Sequence, residues 1–120
     1  MGDFKKLIVY QKAYKLAMDI YFASKKFPPE EKYSLVTQIC RSSRSVCANF
    51  AEAYSKKRYK AHFISKLSDC ESGNKETEVW LDFSRDCLFL SPEEYSDFLQ
   101  RNSEVQKMLF HMINNPDKYI

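Results

Sequence analysis

Few residues in this chain have the types and spacing that chemistry needs. Ser72-Gly73-Asn74-Lys75 carries the S-x-x-K spacing, which sets a serine hydroxyl one helical turn before a lysine amine, as in the nucleophile motif of β-lactamases and penicillin-binding proteins. That chemistry also requires S-D-N and K-T-G elements on a mixed α/β scaffold, and both elements are missing, so the match reads as coincidence. A helical bundle can hold two metals through glutamates and Glu-x-x-His pairs. Three residues before His62 and His111 stand Tyr59 and Met108, so that site cannot be built in its usual form and both histidines read as surface or packing residues. Cys40, Cys47, Cys70 and Cys87 show neither C-x-x-C spacing nor the close clustering of a disulfide scaffold, and read as reduced, buried thiols. No Gly-rich phosphate loop and no Cys-His pair is recognisable. The expectation is a protein without catalytic residues, metal or cofactor.

What remains is charge. The net charge is only +3. Between Gln38 and Lys66, however, seven basic residues (Arg41, Arg44, Lys56, Lys57, Arg58, Lys60, Lys66) face the single acid Glu52, so this segment is +6 and the rest of the chain −3. Such asymmetry points to a basic patch, although a charged run is commonly just a solvated helix end. Tyr54 and Tyr59 interleave with the cations, so the run could meet phosphates through charge while its rings stack on unpaired bases.

The elements that must position these cations are helical. With 120 residues the chain is expected to form a single domain, 1–120, large enough to enclose one core without a metal or disulfide. Two glycines and four prolines are too few to punctuate an all-β or βαβ fold. No stretch approaches the ~20 apolar residues of a membrane span, and MGDFKKLIVY leads into an amphipathic pattern, so a cytoplasmic protein without membrane contact is expected. Gly2 fits a myristoylation signal, but Lys6 stands where that signal has Ser or Thr.

Apolar spacing predicts four helices. The first runs from about Phe4 to Phe27 with Ala13, Leu16, Ala17, Ile20, Ser24 and Phe27 inward, until Pro28 and Pro29 stop it. A second stripe, Tyr10, Tyr14, Met18 and Tyr21, makes the apolar arc broader than one core needs, so the helix is either deeply packed or also meets another subunit; the stripe is assigned to an oligomer interface. The second helix starts between Glu30 and Ser34, turns Leu35, Ile39, Ser42, Val46, Phe50 and Ala53 inward, and ends at SKKRYK. A third, from about Ala61 to Leu90, repeats at Phe63, Leu67, Cys70, Asn74, Thr77, Leu81, Ser84 and Leu88 in alternating steps of four and three, a heptad seam. The fourth opens at Ser91-Pro92-Glu93-Glu94, a cap followed by acids at the positive end of the dipole, and ends at Asn115-Pro116. Short connections make this an all-α, up-down-up-down antiparallel four-helix bundle.

A turn near Lys57 to Lys60 would place Val36 beside Leu81, Cys40 beside Thr77, Ser43 beside Asn74, Cys47 beside Cys70, Phe50 beside Leu67 and Arg41 opposite Glu76. The small middle residues would let the second and third backbones approach closely.

Three stretches, QKAYKLAMDIY, KYSLVTQICRSSRSVCANFAEAYSKK and FISKLSDCESGNKETEVWLDF, together resemble the bacterial four helix bundle protein family. This family includes proteins encoded in 23S ribosomal RNA intervening sequences and is similar to the accessory variability determinants of diversity-generating retroelements. The most specific likeness lies in Asn49, Ala51 and Glu52 and in Glu76, Thr77, Trp80 and Leu81. The resemblance implies a homopentameric ring, and association with RNA or DNA and, in the retroelement branch, with a reverse transcriptase. It supplies no catalytic residue. Asn49, Glu52, Glu76 and Trp80 are read as helix-pairing residues.

The expected function is therefore that of a non-enzymatic ring protein contacting RNA or DNA through Arg41, Arg44, Lys56, Lys57, Arg58 and Lys60. The alternative is a scaffold that recruits a polypeptide through its tyrosine stripe and binds no nucleic acid.

Overall fold

Local signals start and stop each helix of the computed structural model, which describes residues 3–120; Gly2 lies outside the described residues. Helix α1 spans Ile8–Ser24, α2 Leu35–Ser55, α3 Lys60–Asp86 and α4 Pro92–Asn114, with 3-10 turns at Phe4–Lys6, Pro29–Glu31 and Pro116–Lys118. The expected Ser91 cap is present: Ser91 Oγ accepts from the Glu94 amide at 3.0 Å and Glu94 Oε1 accepts from the Ser91 amide at 2.9 Å. This reciprocal pair satisfies two amides that the start of a helix otherwise leaves free.

Three helix ends differ from the sequence expectation. Helix α1 begins at Ile8 rather than Phe4, with Phe4–Lys6 forming a separate 3-10 turn. Helix α1 stops at Ser24 rather than Phe27, and Phe27 closes a turn by donating its amide to the Ser24 carbonyl at 3.1 Å. Pro28 explains this, because a residue preceding proline is driven out of the helical region. Helix α3 ends before Leu88, the last residue of the predicted seam. Leu88 is left-handed (φ 65°) and 87 % exposed. Its amide donates to Arg85 O and that of Phe89 to Ser84 O, both at 2.9 Å, which is the hydrogen-bond pattern of a Schellman cap with leucine at the position glycine usually fills. Phe89 then packs against Phe27 with ring centroids 5.3 Å apart.

Each helix packs on its chain neighbours and α1 also packs on α4, while the diagonal pairs stay apart. Paired residues run in opposite directions across every neighbouring contact: Ser24 with Cys40, Arg41 with Glu76 and Asp82 with Tyr95. The result is an antiparallel up-down-up-down bundle measuring 44 × 24 × 21 Å.

Its interior has three layers. One end holds Val9, Phe50, Ala53, Phe63, Leu67, Val105 and Leu109, and the other Leu16, Ile20, Phe27, Leu35, Ile39, Leu81 and Phe98. The waist between them is small and polar. There Ser42 Oγ lies 2.9 Å from Thr77 Oγ1, and Thr77 Oγ1 also donates to Gly73 O at 2.9 Å. At Gly73 α2 and α3 approach closely, since a β-carbon there would collide with Ser45 Oγ and sit 3.4 Å from the Ser42 carbonyl oxygen. Small residues in this hairpin thus serve close backbone approach.

The register holds in outline. Arg41 Nη2 donates to Glu76 Oε2 at 3.0 Å as expected, Cys47 and Cys70 share one core cluster with Phe50 and Leu67, and Val36 meets the cluster of Leu81. In detail it shifts. Thr77 bonds Ser42, whereas Cys40 turns toward Ser24 of α1, 3.7 Å away, and Asn74 reaches α4.

Candidate nucleic-acid interface

Helix α2 runs out at Ser55, where the Lys56 amide donates to Glu52 and Ala53 carbonyls and the Tyr59 amide closes the turn onto Lys56 O at 2.8 Å. Lys56 and Lys57 follow the negative end of the α2 dipole, where cations are favoured. Lys57 Nζ lies 4.1 Å from the Tyr54 ring centroid, and the Tyr59 ring meets His62 edge-on. Lys60 opens α3, at the positive dipole end, and pairs with Asp117 at 3.0 Å. Lys56, Lys57 and Arg58 make no ion pair among the described residues.

The bundle brings further cations to this end. In an antiparallel bundle the start of α1 and the exit of α4 share the end occupied by the α2–α3 turn, and the Phe4–Lys6 and Pro116–Lys118 segments indeed pack on α2 and α3. Lys5, Lys6 and Lys118 therefore join Lys56, Lys57 and Arg58. Sequence reasoning missed them because they stand more than fifty residues from the turn in the chain; counting helices to an even number was the available signal.

Arg41 and Arg44 lie elsewhere. Arg44 is twelve residues before Lys56, about 18 Å along a helix. Arg41 is held by Glu76 and by Gln38 Oε1 at 2.6 Å, and the Arg44 guanidinium sits 5.3 Å from the Tyr21 ring centroid. Two of the four residues assigned to helix pairing, Glu52 and Glu76, make ion pairs between α2 and α3, while the Trp80 hydrogen bond stays within α3. Glu76 Oε2 accepts from both Arg41 and Trp80 Nε1 (3.1 Å), and Glu52 pairs with Lys66 at 2.7 Å, which holds its carboxyl below the usual range. Asn49 is half-buried and makes no side-chain hydrogen bond among the described residues.

The tyrosine stripe borders a second feature. Tyr10 stacks on Tyr14 with centroids 6.0 Å apart, and Phe4, Tyr10, Tyr14, Met18, Arg44 and Cys47 line an open groove of about 370 Å³ between α1 and α2. Burial leads the causes that raise the Tyr10 phenol above its usual pKa, with Cys47, Tyr14 and Asp3 adding to it. Ser72 and Lys75 are exposed on α3, and His111 Nδ1 lies 2.7 Å from Tyr119 Oη. Among the described residues no three His, Cys, Asp or Glu side chains converge as metal ligands, and no helix is long and apolar enough to cross a membrane.

Comparisons agree with the fold. No functionally curated protein matches the sequence. The bundle is similar to the crystal structure of a protein of unknown function from the S23 ribosomal protein family of Bacteroides thetaiotaomicron, with a TM-score of 0.78 and 28% identity over 88% of this chain and 98% of that one. Residues 5–111 match the family described as 23S rRNA-intervening sequence protein. With most of its length matched, this chain belongs to the 23S rRNA-intervening sequence protein family.

Proposed function

We propose that the protein is a non-enzymatic, ring-forming nucleic-acid accessory factor whose basic bundle end contacts RNA or single-stranded DNA. The observation that carries this reading is the convergence of Lys56, Lys57 and Arg58, none of them ion-paired among the described residues, with Lys5, Lys6 and Lys118 from the chain's two ends. Tyr59, 56 % exposed, adds a stacking surface beside them. The family's name, which refers to an intervening sequence of 23S rRNA, favours RNA over other polyanions. The α1–α2 groove with Tyr10, Tyr14, Met18 and Tyr21 is the subunit contact in this proposal, and a pentameric ring would repeat a weak basic surface and raise avidity without new contacts.

Binding of a fluorescent single-stranded RNA, followed by anisotropy across a salt series, tests it. Affinity should fall steeply with salt, and Lys56→Glu, Lys57→Glu, Arg58→Glu together should abolish binding while leaving the helical signal intact. Undiminished binding by that variant would remove the interface. Light scattering gives the subunit number, and a monomer would remove the ring.

The half-buried tyrosine stripe, with Tyr14 exposed, also favours a second reading, a scaffold for a polypeptide. A pull-down repeated after nuclease treatment separates the two, because a protein partner survives digestion of the nucleic acid.

A further inference from the structure

Between the start of α1 and the last turns of α4 lies an open cavity of about 590 Å³, within the range of small-molecule sites. Its floor is aliphatic and thioether: Leu7, Val9, Met108 and Met112, of which Val9 and Met112 are buried. Lys6, from the start of the chain, and Lys107, from α4, also line it, both exposed and without an ion pair among the described residues. His111 and Tyr119 close one edge through their 2.7 Å hydrogen bond.

This distribution selects a ligand class. A nucleotide base would require hydrogen-bonding groups on the floor, and the floor side chains offer none. A carbohydrate fails for the same reason. Methionine side chains adapt to flexible apolar chains, and two ammonium groups in the lining complement one anionic head. The geometry points to this cavity as a binding site for a single-chain carboxylate amphiphile, its alkyl chain on Val9, Met108 and Met112 and its carboxylate between Lys6 and Lys107. The site lies at the same bundle end as the α2–α3 turn and shares Lys6 with it, but none of Lys56, Lys57 and Arg58 lines it, so dodecanoate binding should persist in the variant that loses RNA binding.

Dodecanoate, titrated below its micellisation concentration into full-length protein carrying ¹³C-methyl methionine, is the test. The Met108 and Met112 methyl resonances should shift saturably, while Met18, in the α1–α2 groove, stays in place. Lys6→Gln with Lys107→Gln, two exposed positions that leave the fold intact, should weaken dodecanoate about tenfold and leave the neutral analogue dodecanol unaffected. Absence of a saturable shift at Met108 and Met112 overturns the site, as does an equal shift at Met18, which marks unspecific adsorption. Equal dodecanoate affinity in the double variant overturns the assignment of the anionic head.

Discussion

Asn74 and Asn102 grip each other across the α3–α4 interface: the Asn74 side-chain amide donates to the Asn102 carbonyl oxygen at 2.9 Å, and the Asn102 amide donates to the Asn74 carbonyl oxygen at 3.0 Å. Both residues are buried. They are not equivalent, because Asn74 Nδ2 also donates to Gln106 Oε1 at 2.9 Å, whereas Asn102 Oδ1 is buried without a partner among the described residues. Each truncation removes the same side chain from the same layer, but an unpaired buried oxygen is itself a cost that truncation relieves. Asn74→Ala should therefore destabilise by about 1 kcal/mol more than Asn102→Ala. Urea denaturation of the two variants measures the difference, and equal costs would refute the asymmetry.

Gly73 sits where a β-carbon would strike Ser45 Oγ. Helix propensity alone favours Gly73→Ala by about 1 kcal/mol, yet steric conflict in a packed seam costs about 1–3 kcal/mol. A net loss of stability is expected, and Ser45→Ala in the same chain should recover most of it. A double-mutant cycle by thermal denaturation would show this as favourable coupling; additive effects would place the conflict elsewhere.

Leu88 occupies the left-handed cap position with its side chain almost fully exposed, so it contributes strain and little burial. Left-handed geometry costs a non-glycine residue about 1–2 kcal/mol, partly offset by the greater chain entropy that glycine restores to the unfolded state. Leu88→Gly should raise stability by about 0.5–1 kcal/mol, a Tm increase of a few degrees by calorimetry.

Burial raises the Cys47 thiol to about 11, and burial, with the nearby Asp69 carboxylate and Cys47 adding to it, raises Cys70 to about 12. At about pH 8 only about one Cys47 in a thousand is thiolate, so a thiol reagent should label exposed Cys87 first and the native protein should show one fast site. The sign of the linkage follows. Because the unfolded thiols ionise near 9.0, the stability held by keeping these groups neutral is complete below that pH and declines as pH rises toward about 11. Cys47→Ala should flatten that decline in pH-dependent urea melts.

If the basic end is the RNA contact, charge position should matter more than charge number. Lys5→Glu with Lys118→Glu, at the end shared with the α2–α3 turn, should weaken RNA binding and reduce its salt dependence. Lys25→Glu with Lys32→Glu, at the opposite end, changes net charge equally and should have a smaller effect. Equal losses would indicate unspecific attraction.

By itself the chain's order of residues determined what is local. The Pro28-Pro29 pair, the Ser91 cap and the four-and-three spacing of Phe63 through Ser84 fixed helix number and inward faces, because each signal acts within a few residues. Topology followed from short connections. The sequence also placed Arg41 opposite Glu76, but tertiary structure decided the finer pairing of side chains. Successive helical residues point about 100° apart, so a small rotation gives Thr77 to Ser42 instead of Cys40 and turns Asn74 toward Asn102. The same holds for the basic end, which gathers cations from three distant segments, and for Leu88, whose spacing continues a seam that the α3 cap has already ended.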